Sequence, residues 1–361
     1  MTTGHVAIVH NNIDGDSAIG KLARWAVQVA LEAGWRVTAV AHDLDPELRT
    51  EVEWRRLFVP PRVHAVQWAV AEPTVRRALR GSAHDVLHVY QPQLTGFADT
   101  WHVSYLSRSA VEHGALGDEP GNRARARRAQ ARLVARMEDA YLRRTGSGAQ
   151  VLWCSEFIRE EYLRLYGAPA RGRILYDPAL DAGDVAPGPR PVPADAPVIG
   201  FLGGLDPRKG YRELIAAVAA VPGARLVMAG PGSGGFSDHR LGERLTALGW
   251  VADLAAFWAR IDVLAMPSRF EPFGMAATEA AIRGIPVLLS PQVGCAHLIV
   301  GDGAGAVWDG TQEDFAAQLR ALSRRGLDRP GFPQRVAHTL DPRRLGEQLL
   351  AHWTTAATVR R

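Results

Sequence analysis

The stretch PSRFEPFGMAATEAAIRGIPVLLS, residues 267–290, gives the strongest indication of the fold. It begins at the end of an apolar strand predicted at 262–268, and it holds a polar loop, a helix over 275–284 and a second apolar strand at 285–290. A strand, a loop, a helix and a strand in this order indicate a βαβ unit with a parallel sheet. Ligands bind outside the carboxyl ends of the strands of such sheets, so the loop that carries Glu271 is a candidate site.

The same order of elements precedes this stretch and also opens the chain. VIGFLG (198–203), a glycine-bearing loop and a helix over 211–221 lead to the strand RLVMAG (225–230). At the amino end, VAIVH, the turn-rich NNIDGDSAIG, a helix that ends at Gly34 and the strand WRVTAVAHD repeat the pattern. Further elements are predicted as strands at 85–90, 100–106 and 151–155, and as helices near 122–144 and 343–358. The class is therefore α/β, with two doubly wound, Rossmann-like domains.

The domain boundary is predicted from a proline-rich stretch. APGPRPVPADAP, residues 186–197, cannot form a helix or an interior strand. A chain of 361 residues is long enough for two domains. We expect a first domain at 1–185, a linker at 186–197, a nucleotide-binding type of domain at 198–340, and a carboxyl-terminal helix at 341–361 that can pack back on the first domain.

Composition excludes several classes of protein. The chain is 47% hydrophobic and 22% charged, as is typical of a packed globular protein, and its net charge of +4 is too small for a nucleic-acid partner. Only Cys154 and Cys295 occur, far apart, so neither a disulfide framework nor a zinc site is indicated. MTTGHVAIVH does not resemble a signal peptide, and no apolar run is long enough to span a bilayer. We expect a cytoplasmic protein.

Two acidic side chains and a helix start make the 267–290 stretch a candidate for sugar and phosphate binding. The unpaired amides near Phe273, Gly274 and Met275 form an anion site together with the helix dipole. Glu279 lies eight residues after Glu271, on the helix. A carboxylate can accept two hydrogen bonds from a vicinal diol such as a ribose, so the two glutamates can each hold one sugar.

This stretch resembles the signature of the retaining GT-B glycosyltransferases of group 1, or family 4, in which two glutamates flank seven residues. The resemblance implies a GT-B fold in which two Rossmann-like domains face a cleft. It implies that Glu271 contacts hydroxyl groups of the donor sugar, that Glu279 contacts the nucleotide ribose, and that the amides of Phe273, Gly274 and Met275 meet the sugar and the diphosphate.

The segment IGFLGGLDPRKGYRELIAA, residues 199–217, resembles the part of the same family in which an arginine and a lysine hold the diphosphate. Lys209 matches the lysine, which is assigned to donor binding and to catalysis. The arginine position is occupied by Gly204, and Arg208 can replace the missing charge from a different angle. Lys209 is one of only two lysines in the chain, whose other basic residues are arginines.

The first domain supplies further candidates through the same resemblance. Gly15 lies in the loop that corresponds to the family's amino-terminal glycine loop near the donor phosphates, and Asp14 and Asp16 flank it on the acceptor side. His102 matches a histidine beside the reacting sugar and is assigned to catalysis together with Glu271 and Lys209. His88 is a weaker acceptor-side candidate of the same kind.

The resemblance implies transfer of a sugar from a UDP- or GDP-linked donor, with retention at the anomeric carbon, to a small molecule or natural-product intermediate. No cofactor and no metal are expected. An alternative acceptor is a lipid or glycan at a membrane surface, where the arginine-rich segment at 122–144 could bind, although membrane contact is not favoured. Another alternative is a nucleotide-sugar binding protein without catalytic activity.

Two other enzyme classes share the βαβ order. A dinucleotide dehydrogenase is disfavoured because the loop after the first strand is not G-x-G-x-x-G and because hydride transfer has no use for paired glutamates. A phosphorylase or a sugar-nucleotide epimerase fits the fold less well and would be identified by its product.

Overall fold

The computed structural model describes residues 4–58, 64–169, 171–186, 188, 190–193, 195–301, 303–325 and 331–360. The chain divides into two compact units. Unit 1 comprises residues 1–111, 120–180 and 341–361, and unit 2 comprises residues 112–119 and 181–340.

The described strands and helices alternate over most of the chain. The strands are β1 His5–Val9, β2 Asn12–Ile13, β3 Arg36–Ala41, β4 Asp43–Leu44, β5 Glu53–Arg56, β6 Val86–Val89, β7 Thr100–Val103, β8 Gln150–Trp153, β9 Gly172–Ile174, β10 Val198–Leu202, β11 Arg225–Ala229, β12 Leu245–Ala247, β13 Val263–Met266, β14 Val287–Leu289 and β15 Gly305–Val307. The helices are α1 Ala18–Glu32, α2 His64–Ala78, α3 Ser107–Glu112, α4 Asn122–Thr145, α5 Glu156–Tyr166, α6 Tyr211–Ala219, α7 Ala255–Trp258, α8 Met275–Ile282, α9 Ala296–Gly301, α10 Gln312–Arg325, α11 Phe332–Thr339 and α12 Pro342–Arg360.

Each unit is built on one parallel sheet. Within the described residues, the main sheet of unit 1 has seven strands in the order β5-β3-β1-β6-β7-β8-β9, and that of unit 2 has six in the order β12-β11-β10-β13-β14-β15. In unit 1, β2 and β4 form a separate two-stranded parallel sheet. Every strand pair in these sheets is parallel. The predicted α/β class with two doubly wound, Rossmann-like domains is confirmed.

The order of strands reverses once in each sheet. In unit 1 the chain proceeds outward from β1 to β3 and β5, and then returns to place β6 on the other side of β1. In unit 2 it proceeds from β10 to β11 and β12, and returns to place β13 on the other side of β10. At such a reversal the loops that follow the two central strands diverge and leave a crevice, where ligands of open α/β sheets bind.

Helix α12 belongs to the core of unit 1. Its buried Leu345, Leu349 and Trp353 join the same apolar cluster as residues of α1, β1 and β3. The indole Nε1 of Trp25 on α1 donates a hydrogen bond to the Pro342 carbonyl at 3.3 Å. Burial of these side chains ties the carboxyl end of the chain to the first sheet.

The observed units and elements differ from the expected ones in three respects. The predicted linker at 186–197 falls in unit 2, and positions 187, 189 and 194 lie outside the described residues. Residues 112–119, expected in the first domain, belong to unit 2. Strand β5 and helix α2 were not expected from the sequence.

Among the described residues we find no helix that combines the length and the apolar composition needed to cross a lipid bilayer.

Gly210 provides a test of how the loops of unit 2 are held together. Its φ of 66° is in the left-handed region, and a Cβ at this position would overlap the Pro267 carbonyl in the loop after β13. We expect Gly210→Ala to lower the free energy of unfolding by about 3 kcal/mol, through an unfavourable φ and a steric clash. Urea denaturation measures the change.

The control is Gly301→Ala, at the end of α9, where a Cβ would meet nothing within 4 Å and φ is not positive. We expect it to change stability by less than about 0.5 kcal/mol. Equal stability of the two variants would show that the close approach of Gly210 to Pro267 does not constrain the loops.

Candidate active site

Two loops meet at the strand reversal of unit 2. One follows β10 and includes a short 3-10 turn, Pro207–Lys209, and the other follows β13 and carries Glu271. The loops are joined by a hydrogen bond from the Arg269 amide to the Arg208 carbonyl at 2.8 Å and by the close approach of Gly210 to Pro267. Residues 62 and 63 positions apart, such as Lys209 and Arg208 from Glu271, are thereby placed side by side.

A carboxylate with two cations lies where these loops meet. Oxygen Oε2 of Glu271 accepts hydrogen bonds from Lys209 Nζ at 2.6 Å and from Arg208 Nη1 at 2.9 Å. Arg208 Nη1 also donates to the Phe270 carbonyl at 3.0 Å. The three side chains are only 15% to 26% exposed, so solvent screens their interaction weakly.

The charge on this cluster follows from its geometry. Burial alone would favour the neutral acid, but Lys209 and Arg208 hold the pKa of Glu271 below its ordinary value. Glu271 is therefore ionised at neutral pH. Two cations and one anion leave the cluster with one excess positive charge, which suits an anionic ligand.

The backbone of Glu271 is fixed by the segment that follows β14. The Glu271 amide donates to the Gln292 carbonyl, and the Gly294 amide donates to the Glu271 carbonyl, each at 2.9 Å. Ser268 Oγ lies 3.5 Å from Glu271 Oε2 and was not identified from the sequence. The carboxylate is thus oriented by contacts on several sides.

Helix α8 starts immediately after the cluster. Gly274 precedes it with φ 105°, and a Cβ there would lie 2.8 Å from Val293 Cγ1 and 3.1 Å from Cys295 Sγ. Phe273 is buried and its carbonyl accepts the Cys295 amide at 2.7 Å, whereas Met275 is partly exposed. Glu279 lies on α8 and is 6% exposed. Phe273, Gly274, Met275 and Glu279 therefore lie on the segment that continues from the cluster.

The loop after β10 leaves room at Gly204. A Cβ at this position would lie 3.6 Å from the Pro231 carbonyl oxygen, an ordinary contact, and φ is not positive. The side chain of Lys209 runs beside the neighbouring Gly203, where a Cβ would lie 3.6 Å from Lys209 Cε. The glycine at 204 is therefore not required by the backbone.

Residues 112–119 pack against both loops, and the sequence carried no signal for this. The ring of His113 stacks on Phe270 with 6.0 Å between centroids, and Arg269 Nη1 donates to the Gly114 carbonyl at 3.3 Å. A Cβ at Gly117 would overlap the ring of Pro207. The segment thus buttresses the residues that precede Arg208 and Glu271.

The predicted residues near the amino terminus form the start of α1. Asp14 Oδ1 accepts the amides of Asp16 at 3.1 Å and Ser17 at 3.3 Å, and Ser17 caps the helix. A Cβ at Gly15 would meet nothing within 4 Å, so the fold of unit 1 does not require glycine there. The position where a Cβ would clash is Gly20, against Asp14 and Ser17.

The two predicted histidines lie in the interior of unit 1. His88 on β6 and His102 on β7 have no exposed surface. His88 Nδ1 lies 2.7 Å from Thr100 Oγ1, and burial lowers its pKa well below the ordinary value, so its ring is neutral. His102 Nε2 lies 3.3 Å from Asp177 Oδ1, and its ring stacks on Tyr90. The roles of both histidines beside a substrate stay predictions.

No group of three or more His, Cys, Asp and Glu in the described part of the chain is arranged to hold a metal ion.

Glu271 provides a stability test of the cluster. Glu271→Gln would leave Lys209 and Arg208 without their counter-charge, and we expect the free energy of unfolding at pH 7 to fall by about 3 kcal/mol. The pKa of Glu271 is lower in the folded protein than in the unfolded chain. The extra stability of the wild type is therefore fully present above the ordinary carboxyl pKa, and it is lost as the pH falls through the pKa of Glu271 in the folded protein. Urea denaturation at several pH values measures both effects.

The control is Glu213→Gln, which removes the carboxylate paired with Arg269 in the same region. Glu213 is more exposed than Glu271. Exposed ion pairs contribute little, so we expect a loss below about 1 kcal/mol. A loss in Glu271→Gln no larger than in this control would contradict the charge arrangement described here.

Comparisons with known proteins agree with this geometry. The family model for glycosyl transferases group 1 matches residues 196–325, which include both loops. The glycogen synthase of Mycobacterium tuberculosis is 28% identical over 328 residues, which cover 86% of this chain and 69% of that protein. The D-inositol 3-phosphate glycosyltransferase of Kineococcus radiotolerans is 32% identical over 202 residues, which cover 45% of this chain and 46% of that protein.

A solved structure supports the fold over the full length. The crystal structure of HepE from Anabaena, in complex with UDP and glucose, superposes with a TM-score of 0.69 at 15% identity and covers 98% of this chain and 100% of that chain. This likeness shows the fold alone, because the identity is low. Taken together, the comparisons show a GT-B fold and indicate a transferase enzyme that is similar to the glycosyl transferases of group 1, with the family match confined to residues 196–325.

Proposed function

We propose that this enzyme transfers a sugar from a nucleoside diphosphate sugar to a hydroxyl group of an acceptor, with retention at the anomeric carbon. The observation that carries the proposal is the cluster of Lys209, Arg208 and Glu271 at the strand reversal of unit 2, immediately before the start of α8. A site with one excess positive charge and a helix amino terminus suits a diphosphate, and an oriented carboxylate suits sugar hydroxyls.

The donor is assigned to unit 2, residue by residue. Lys209 and Arg208 bind the diphosphate together with the first amides of α8, and Arg208 supplies the charge that Gly204 lacks. Glu271 accepts hydrogen bonds from the donor sugar, and Glu279 accepts them from the ribose. The base is uracil or guanine in this proposal.

The chemistry requires no side-chain nucleophile. The bond between the anomeric carbon and the diphosphate oxygen breaks while the acceptor oxygen bonds to the same face of that carbon. The acceptor proton passes to the departing diphosphate oxygen. Lys209, Arg208 and the α8 amides stabilise the negative charge that develops on the leaving group, and such preorganised donors lower the barrier by electrostatic stabilisation. No metal is assigned to this step.

The acceptor is a small molecule or natural-product intermediate in this proposal, and the enzyme is assigned to the cytoplasm. Cys154 and Cys295 are buried and not bridged, which is compatible with a reducing compartment. One observation favours a second candidate, a lipid or glycan acceptor at a membrane surface. Helix α4 exposes several arginines, among them Arg123, Arg125, Arg132 and Arg136, and these could bind an anionic surface.

The first test is calorimetric binding of UDP, GDP, TDP and ADP, each with its common sugar derivatives, in the presence of EDTA. We expect micromolar binding of UDP or GDP and of one sugar derivative. Product formed from that donor is then analysed by NMR, where retention gives the same anomeric configuration as in the donor. Binding without hydrolysis or transfer would indicate a binding protein, inverted product would contradict retention, and binding of no nucleotide would contradict the donor site.

Two variants separate the roles of the glutamates. Glu279→Ala should weaken every nucleoside diphosphate by about tenfold or more, because hydrogen bonds from the ribose to a carboxylate are lost. Glu271→Gln should weaken only sugar-bearing donors, and it should leave bare diphosphate binding unchanged or tighter, since the cluster then carries two positive charges. Equal loss of bare diphosphate in both variants would contradict this division.

Gly204→Arg tests the missing charge. The structure leaves space for a side chain, so we expect the variant to fold and to bind the diphosphate about tenfold more tightly through a charge-assisted hydrogen bond. The control is Gly204→Gln, which adds a shorter polar side chain that can donate a hydrogen bond but carries no charge. If both variants change calorimetric affinity equally, the effect is not due to the arginine charge.

A further inference from the structure

A cavity lies at the strand reversal of unit 1. It has a volume of about 170 Å³. Asn11, two residues after β1, and Gln91, two residues after β6, line it from the two loops that diverge at the reversal. Helix α2 lines the opposite side. The cavity therefore occupies the position in unit 1 that the Lys209, Arg208 and Glu271 cluster occupies in unit 2.

Three buried polar atoms belong to side chains that line this cavity, and none has a hydrogen-bond partner among the described residues. They are Gln91 Oε1, Gln93 Oε1 and Trp68 Nε1. Buried polar groups are nearly always paired, and leaving one unpaired is destabilising. A ligand with hydroxyl groups could therefore donate hydrogen bonds to the two amide oxygens and accept one from the indole N–H.

These groups are held in place by neighbouring side chains. Gln91 Nε2 donates to Asn11 Oδ1 at 3.3 Å, which leaves Oε1 as the remaining polar atom of that amide. The indole of Trp68 packs edge to face on Tyr141, with 5.7 Å between ring centroids. The cavity is thus lined by polar atoms whose positions do not depend on a ligand.

The lining indicates an uncharged ligand. Among the described residues that line the cavity there is no Asp, Glu, Lys or Arg, and His64 is the one ionisable side chain. An anionic group such as a phosphate would lose its hydration here and would gain no counter-charge from a carboxylate-free and Lys- and Arg-free lining, as far as the structure describes it.

The size of the cavity limits the part of the ligand that it can enclose. A cavity of about 150 Å³ lined by apolar side chains accommodates benzene. The volume here is therefore sufficient for one six-membered ring with small substituents. Leu57, Val75 and Leu94 provide apolar surface against which the ring can pack. The side-chain amide oxygens can accept hydrogen bonds from its hydroxyl groups.

We propose that this cavity binds the acceptor of the sugar transfer, and that the bound part is a single uncharged ring with hydroxyl groups rather than a phosphorylated ring. The inference rests on the proposed function, since it identifies the acceptor class for that reaction. The ring can come from a polyol or sugar or from a hydroxylated aromatic compound, because both offer hydroxyl donors and an apolar face.

The experiment measures binding of two matched pairs of probes to the full-length protein by saturation-transfer NMR titration. The polyol pair is myo-inositol and inositol 3-phosphate, and the aromatic pair is resorcinol and 3-hydroxybenzoate. We expect the neutral member of at least one pair to bind about tenfold or more tightly than its anionic counterpart. The pair that binds distinguishes a polyol from an aromatic ring.

Variants locate the binding. Gln93→Leu removes the unpaired Oε1 at nearly constant volume and Trp68→Phe removes the indole N–H, so each should weaken the neutral ring about 3- to 10-fold. Gln93→Leu should do so without lowering the melting temperature. The matched control is Gln28→Leu on α1, outside the cavity, which should bind the ring as the wild type does. Calorimetric affinity for UDP and GDP is measured on every variant to verify that unit 2 is intact.

The outcomes separate this inference from the proposed function. Equal or tighter binding of the anionic probes would overturn the uncharged class. Nucleotide binding with no ring binding, or with ring binding that Gln93→Leu and Trp68→Phe leave unchanged, would overturn the cavity as the acceptor site while the donor assignment stands. Ring binding at the cavity without any nucleotide binding would support the ligand class and overturn the proposed function.

Discussion

The parallel pairing of β10 with both β11 and β13 is the constraint on which the candidate site depends. Because both neighbours run in the same direction, the loops after β10 and β13 emerge from one edge of the sheet. Lys209 and Arg208 in one loop can then share the carboxylate of Glu271 in the other. The same reversal between β1 and β6 opens the cavity of unit 1, so one rule of parallel sheets accounts for both sites.

Glu271 allows the cluster to hold two cations without a large electrostatic penalty when no anionic ligand is bound. Two largely buried cations without a ligand would repel each other and lose hydration. Glu271 compensates one of them and remains ionised, since its pKa is lowered. One excess positive charge remains for an anionic ligand, which is the diphosphate in the proposed function. In the same proposal Glu271 also accepts hydrogen bonds from the donor sugar.

The depth of a side chain in the fold could not be predicted from the sequence. The rings of His88 and His102 are fully enclosed because α12 and the loop residues Tyr90 and Asp177 cover them. The sequence also does not distinguish Gly15, where a Cβ would meet nothing within 4 Å, from Gly20, where a Cβ would overlap Asp14 and Ser17. Contacts of these kinds join residues far apart in sequence, and local patterns carry no information about them.

The sequence by itself determined the α/β class, because alternating apolar strands and amphipathic helices can bury their surfaces only as layers on a parallel sheet. It also placed Glu271 in a loop and Glu279 on the helix that follows this loop. Only the tertiary structure decided that Arg208 and Lys209 meet Glu271, that residues 112–119 pack with unit 2, and that Gln91, Gln93 and Trp68 surround one cavity. The physical reason is that the pairing order of strands, rather than any local propensity, sets which loops become neighbours.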